Sequence, residues 1–145
     1  MKTITLSLIL VLFATACSHQ TENNVVPGTS QTESTAQKAA EQWLALIDAG
    51  NYAGSWKTAA AFFQTAVPQA DWEHTMVADR KPFGDLVSRK LKIASYTKSI
   101  PGAPDGEYVI VQFDTSFANK KEAVETVTPM LDPDGQWKVS GYYIK

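Results

Sequence analysis

The stretch Val87-Ser88-Arg89-Lys90-Leu91-Lys92-Ile93 marks the place where the chain changes its period. Odd positions are mostly apolar and even positions mostly polar, the alternation of a half-buried strand. From here to the end the chain reads as strand. Tyr108 to Phe117 is a second strand, with Val109, Val111, Phe113 and Phe117 on one side. Glu122 to Leu131 is a third, and Trp137, Val139, Gly141 and Tyr143 mark a fourth. Two turns repeat one phrase, Pro104-Asp105-Gly106 and Pro133-Asp134-Gly135. Pro and Asp favour a turn and Gly supplies positive φ, so both read as hairpin connections.

Upstream of the change the period is helical. Ser34 and Gln37 stand three apart before an apolar run, a capping-box pattern. Ala36, Ala40, Trp43, Leu44 and Ile47 follow at helical spacing, with Gly50 where a C-cap belongs, so the first helix is expected over 35–49. A second follows Gly50-Asn51, carrying Tyr52, Trp56, Ala59, Ala60 and Phe63 on one face. Pro68 suits the first turn of a third, whose Trp72 and Met76 face inward and which Pro82 and Gly84 close. Three helices followed by a four-stranded antiparallel meander is an α+β order, expected as one domain over 35–145.

This element order resembles the cone-shaped nuclear transport factor 2-like fold, in which a curved sheet wraps the helices. The stretches AEQWLALIDAGNYAGSWKTAAAFFQTAV and SYTKSIPGAPDGEYVIVQFDTSFANKKEAVETVTPMLDPDGQWKVSGYYI narrow the likeness. They resemble the bacterial family known as domain of unknown function 4019 over residues 36–144. PGAPDGEYV, FDTSFANK and VETVTPM are the distinctive phrases. The resemblance implies no activity and no functional residues.

The front end is of a different kind. Lys2 precedes an apolar run from Ile4 to Phe13, and small residues Ala14, Thr15 and Ala16 follow. That is the order of a secretory signal, expected over 1–16, and the run is about half the ~20 residues a spanning helix needs. Ala14-Thr15-Ala16 suits an ordinary signal peptidase. Phe13-Ala14-Thr15-Ala16-Cys17 also resembles the lipobox of bacterial lipoproteins, with Ala14 where Leu is commonest. Cys17 is the only cysteine in the chain, so a lipid on it is the expectation over an unpaired exported thiol. Residues 17–34 are polar and small around Pro27-Gly28 and read as a tether. The implied address is a bacterial cell envelope, with Ser18 after the cysteine pointing to the outer membrane in a Gram-negative host.

Thirteen Lys and Arg against 15 Asp and Glu leave a formal charge of −2 and no basic stripe, which argues against nucleic acid as a partner. No cofactor or metal is expected. His19 falls in the tether, and His74 is two positions from Trp72 on its helix and so on the solvent side. Catalytic triads, nucleotide loops and redox pairs are absent.

Arg89 shares strand parity with Val87, Leu91 and Ile93 and so points inward. A charge there needs an acidic partner, a helix end or an anionic ligand in a pocket. Asp48, Asp71, Asp79 and Asp85 fall at helix ends or on polar faces and read as solvated. Tyr108, Ile110 and Gln112, with Tyr142 and Ile144 on the last strand, share the outer face and form a candidate interface for a homodimer or an envelope protein. The expected role is a non-catalytic protein- or small-ligand-binding lipoprotein. The alternatives are a pocket enzyme of isomerase, hydrolase or dehydratase type, or a passive structural role.

Overall fold

A computed structural model describes residues 30–145; the expected signal, Cys17, His19 and most of the expected tether lie outside the described residues. The first helix, α1, runs Gln31–Asp48 and starts four residues earlier than the sequence pattern indicates. Its cap is Ser30, not Ser34. The Ser30 hydroxyl accepts from Glu33 N at 3.2 Å, and the Glu33 carboxylate accepts from Ser30 N at 2.8 Å. The other carboxylate oxygen of Glu33 accepts from Tyr96 N on the first strand at 3.1 Å, so this cap also ties the helix to the sheet. At the far end Gly50, with φ 69°, closes a Schellman motif: its N–H donates to Ile47 O, and Asn51 N–H to Leu46 O.

A continuous second helix is not formed. The chain makes α2 Tyr52–Lys57 and α3 Ala61–Ala66 instead, followed by α4 Gln69–Thr75, which brings the α-helices among the described residues to four. The break has a physical cause. Ala60 N donates to Val139 O at 2.8 Å and Ala61 N to Asp132 Oδ1 at 3.2 Å, so two backbone donors go to the sheet edge and its turn. Gln64 Nε2 serves the carbonyls of Trp56, Lys57 and Ala59 that the break leaves over. After α4 the chain widens into a π turn, Met76–Arg80, then tightens into a 3₁₀ turn, Lys81–Phe83, that ends at Gly84 with φ 77°.

Four antiparallel strands follow in the order β1-β2-β3-β4: Leu86–Thr97, Tyr108–Phe117, Ala123–Leu131 and Trp137–Ile144. Helix α1 packs across all four. Its Ala36, Ala40, Trp43, Leu44 and Ile47 meet Val109, Val111, Phe113, Val127 and Val139 in the main core.

Bulges decide which residues face that core. The β1–β2 register shifts between Leu91 and Ile93, so β1 turns Arg89 and Leu91 inward before the shift and Ala94 and Tyr96 after it. Ile93 and Val87 are exposed, contrary to simple alternation. In the β3–β4 pairing a shift between Thr128 and Pro129 leaves Ser140 as the extra residue in β4. Val139 and Tyr142 therefore both pack against the helices. Pro129, which has no N–H for a ladder, occupies the strand interior at this irregularity.

The turn at Pro133-Asp134-Gly135 closes its hairpin as the sequence indicates, with Gly135 at φ 78°. Between β1 and β2 the connection is longer, and Gly102 rather than Gly106 takes positive φ. That loop brings Ile100 and Ala103 onto Tyr108 and Met130, where Ala60 and Phe62 join a small second core.

The cap gives a direct check. Ser30→Ala is expected to cost about 1 kcal/mol of unfolding free energy, and Ser34→Ala close to nothing. Urea unfolding of the two variants decides: equal losses, or a larger loss at Ser34, would place the helix start where the sequence pattern alone puts it.

Candidate functional site

Six polar side chains converge under the C-terminal end of α1. Arg89, on β1, is enclosed between two carboxylates. Its Nε and Nη2 donate to Glu125 at 2.7 and 3.2 Å, and its Nη1 and Nη2 to Asp48 at 2.7 and 3.0 Å. Arg80, from the π turn, gives Nη2 to Asp48 at 3.1 Å and Nη1 to Gly84 O at 2.8 Å. Its guanidinium carbon lies 4.1 Å from the centroid of the Phe117 ring, while its buried Nε has no hydrogen-bond partner. Thr115 Oγ1 and Tyr142 OH complete the group, donating to Glu125 at 2.8 and 2.7 Å.

Glu125 is fully buried and accepts two bonds on each oxygen. Its four lone-pair sites are taken, so in this arrangement it accepts no further proton donor. Two guanidinium groups balance two carboxylates. Burial by itself lowers the Arg89 pKa; its bonds to Asp48 and Glu125 outweigh that and hold it above the ordinary arginine value. Burial pushes the Tyr142 phenol up strongly, and the adjoining Glu125 charge adds to the shift.

Two clefts flank the cluster, and Arg80 lines both. One, of about 500 Å³, lies beside Ile47, Asp48 and Tyr52. The other, of about 520 Å³, is walled by Trp72, Met76, Phe83, Tyr142, Tyr143 and Ile144, with Asp79 as its lining carboxylate. The polar atoms of two of its rings are committed elsewhere: Trp72 Nε1 donates to Ser55 Oγ at 3.0 Å, and Tyr142 OH to Glu125. Trp43 and Phe63 brace Trp72 from behind, with ring centroids 5.8 and 5.1 Å away. A more open hollow of about 620 Å³ is lined by Ser88, Lys90, Ser116 and Lys121, with no buried ionisable group converging on it.

The family model described as "Protein of unknown function (DUF4019)" matches residues 39–142. The chain belongs to this family. No curated protein and no solved structure matches it. The DUF4019 match contains the whole polar cluster, from Asp48 to Tyr142.

The candidate residues drawn from the sequence fare unevenly, and strand irregularities are the reason. Arg89 faces inward and bonds acidic side chains. Asp48, read as a solvated helix-end acid, is instead largely buried between two arginines. The five residues grouped on the outer face do not form one patch. Tyr108 is buried under the β1–β2 loop, with its hydroxyl donating to Pro104 O. Tyr142 and Ile144 lie on the helix side at the cleft, because the Ser140 bulge reverses β4. Ile110 and Gln112 remain half-buried, Gln112 donating to Thr126 across the outer face. His74 is exposed. Among the described residues no group of three or more His, Cys, Asp or Glu is placed to hold a metal, and no helix is long and apolar enough to cross a membrane.

Glu125 and Arg80 carry signals in the sequence that strand-by-strand alternation does not weigh. Glu125 shares parity with Ala123 and Val127, a lone acid in an apolar row. Arg80 falls four residues after Met76 and eight after Trp72, on one helical face.

The raised Tyr142 pKa fixes a pH dependence. The folded protein holds this proton more tightly than the unfolded chain, where a phenol titrates near ~10. Its contribution to stability is complete below that value and declines as pH rises past it. Urea unfolding at about pH 8 to 11 should therefore show wild type losing stability more steeply than Tyr142→Phe above pH ~10. Identical slopes would mean that Tyr142 titrates normally in the folded state.

Proposed function

We propose that this DUF4019 chain is a bacterial envelope lipoprotein, cut before Cys17 and held to a membrane by lipid on that cysteine. Its domain, of the cone-shaped nuclear transport factor 2-like type, binds a small apolar ligand without catalysis. The order of helices before a four-stranded meander supports the fold. The lipobox-like FATAC and the lone cysteine support the anchor. One observation carries the function: the cleft of about 520 Å³ between α4 with its π turn and the end of β4. Its size falls in the range of small-molecule sites, and its walls are aromatic and aliphatic.

Binding is favoured over turnover by the state of the carboxylates. A general base must reach the proton that it removes. Glu125 is saturated by its own donors, and Asp79 is an exposed carboxylate. Neither combines an enclosed position with a lone pair turned to the cleft.

The full chain carrying Cys17→Ser, which on this reading takes up no fatty-acid label, can be purified without detergent. Titration with the uncharged fluorophore N-phenyl-1-naphthylamine should give saturable, one-to-one enhancement of its emission. Ala78 is exposed at the cleft wall, so Ala78→Trp should fold normally by circular dichroism and weaken binding at least about tenfold, near 1.4 kcal/mol. No saturable enhancement, or equal binding by the Trp variant, would remove the cleft from the account.

A further inference from the structure

The open hollow of about 620 Å³ lies on the outer face of the sheet, away from the helices. Lys90 of β1, Lys121 of the β2–β3 turn and Lys145 just past β4 line it, and all three are exposed. Among the described residues none of these ammonium groups has a carboxylate within salt-bridge distance. Asp114, in the same lining, is taken by Lys92 at 3.1 Å, which leaves Glu122 as the unmatched acid of the hollow. The balance is an excess of two positive charges, or of one when the α-carboxylate of Lys145 is counted. The helix layer has the opposite sign. Residues 31–84 hold six Asp and Glu against four Lys and Arg, and Asp71, Glu73 and Asp79 on α4 and its π turn have no ionic partner among the described residues. Charge divided in this way turns the sheet face toward an anionic surface and the helices away from it.

Resting on the reading of Cys17 as a lipid anchor, we propose that the outer sheet face docks on an anionic bilayer leaflet, with Lys90, Lys121 and Lys145 among the lipid phosphates. Each net charge at such a leaflet favours contact about fivefold, so one or two give about five- to thirtyfold. That is too little to collect a protein from solution, and enough to orient one that a tether already holds at the surface. The reach fits. The cap of α1 is tied to Tyr96 near the end of β1, and Ser88 and Lys90 lie six to eight residues back along that strand, about 20 to 27 Å. The thirteen residue steps from Cys17 to Ser30 span at most about 45 Å. Tyr143, exposed and with Lys145 Nζ 5.5 Å from its ring centroid, adds an aromatic side chain suited to headgroup depth. A bilayer is favoured over an acidic polypeptide because the hollow is shallow and open and its charge excess is small without a tether.

The test is orientation on vesicles. Full-length chain, its mass showing acyl groups on Cys17, is reconstituted in phosphatidylcholine with or without phosphatidylglycerol. Acylated Cys17 offers no free thiol, so a thiol-directed fluorophore reports only an introduced cysteine, either Ser88→Cys at the hollow or His74→Cys on the solvent side of α4. A nitroxide on the lipid headgroup should quench the label at 88 much more with phosphatidylglycerol than without it, and the label at 74 equally in both. The difference should fall away between about 0.1 M and about 1 M salt. It should also be lost in Lys90→Gln/Lys121→Gln/Lys145→Gln, whose circular dichroism stays that of wild type. Quenching at 88 that ignores phosphatidylglycerol, or survives the triple substitution, would overturn the inference. In solution, the Cys17→Ser chain should bind neither inorganic phosphate nor poly-L-glutamate saturably. Saturable binding of either that depends on the three lysines would overturn it too, in favour of a free anion or an acidic polypeptide. A mass without acyl groups removes the anchor itself, and this inference with it; an acylated chain with no preferred face removes the inference alone.

Discussion

A guanidinium clamped between two carboxylates joins the end of α1 to the middle of the sheet. Arg89 belongs to β1, Asp48 to the last turn of α1 and Glu125 to β3, so three elements far apart in sequence meet at one charge. Burying such a group costs several kcal/mol per ion unless its hydrogen bonds are made, and here every nitrogen of Arg89 has a partner. Cluster and apolar core specify the same docking of α1. The helix is fixed at its start by Glu33 reaching Tyr96 and at its end by Asp48 reaching Arg89. Apolar contacts between those points supply most of the attraction; the polar ends set the register.

The cleft follows from this arrangement. Arg80 reaches Asp48 only because the chain after α4 opens into a π turn, a backbone form that often accompanies functional sites. Tyr142 reaches Glu125 only because the Ser140 bulge turns it inward. Each device commits a polar group to the cluster and leaves an apolar surface facing the cleft: the side of the π turn with Met76 in one case, the Tyr142 ring in the other. Saturation of Glu125 and the hydrophobic character of the neighbouring trough are therefore two results of the same hydrogen bonds. Glu125 and Tyr142 are both committed to bonds that hold the fold.

Much of this is legible in the residues, and the parts that are not share a cause. Strand placement, the order of helices before sheet, the turn at Pro133-Asp134-Gly135 and the inward direction of Arg89 all follow from local periodicity and turn chemistry. Bulges break periodicity without a strong local mark, so simple alternation puts Ile93, Val87, Tyr142 and Ile144 on the wrong faces. The break in the second helix depends on Val139 and Asp132, some seventy residues away, and no window around Ala60 contains them. Asp48 reads as solvated for the same reason: its partners Arg80 and Arg89 become neighbours only after folding. Family membership, by contrast, is carried by contiguous phrases and needs no tertiary information.

Unfolding of Arg89→Met in urea addresses the clamp itself. Met keeps much of the length of the side chain and removes its charge, leaving Glu125 enclosed without its principal partner. A loss of about 3 to 5 kcal/mol relative to wild type is expected, as when one member of a buried ion pair is removed. A variant as stable as wild type, or more stable, would contradict the claim that this charge secures α1 to the sheet.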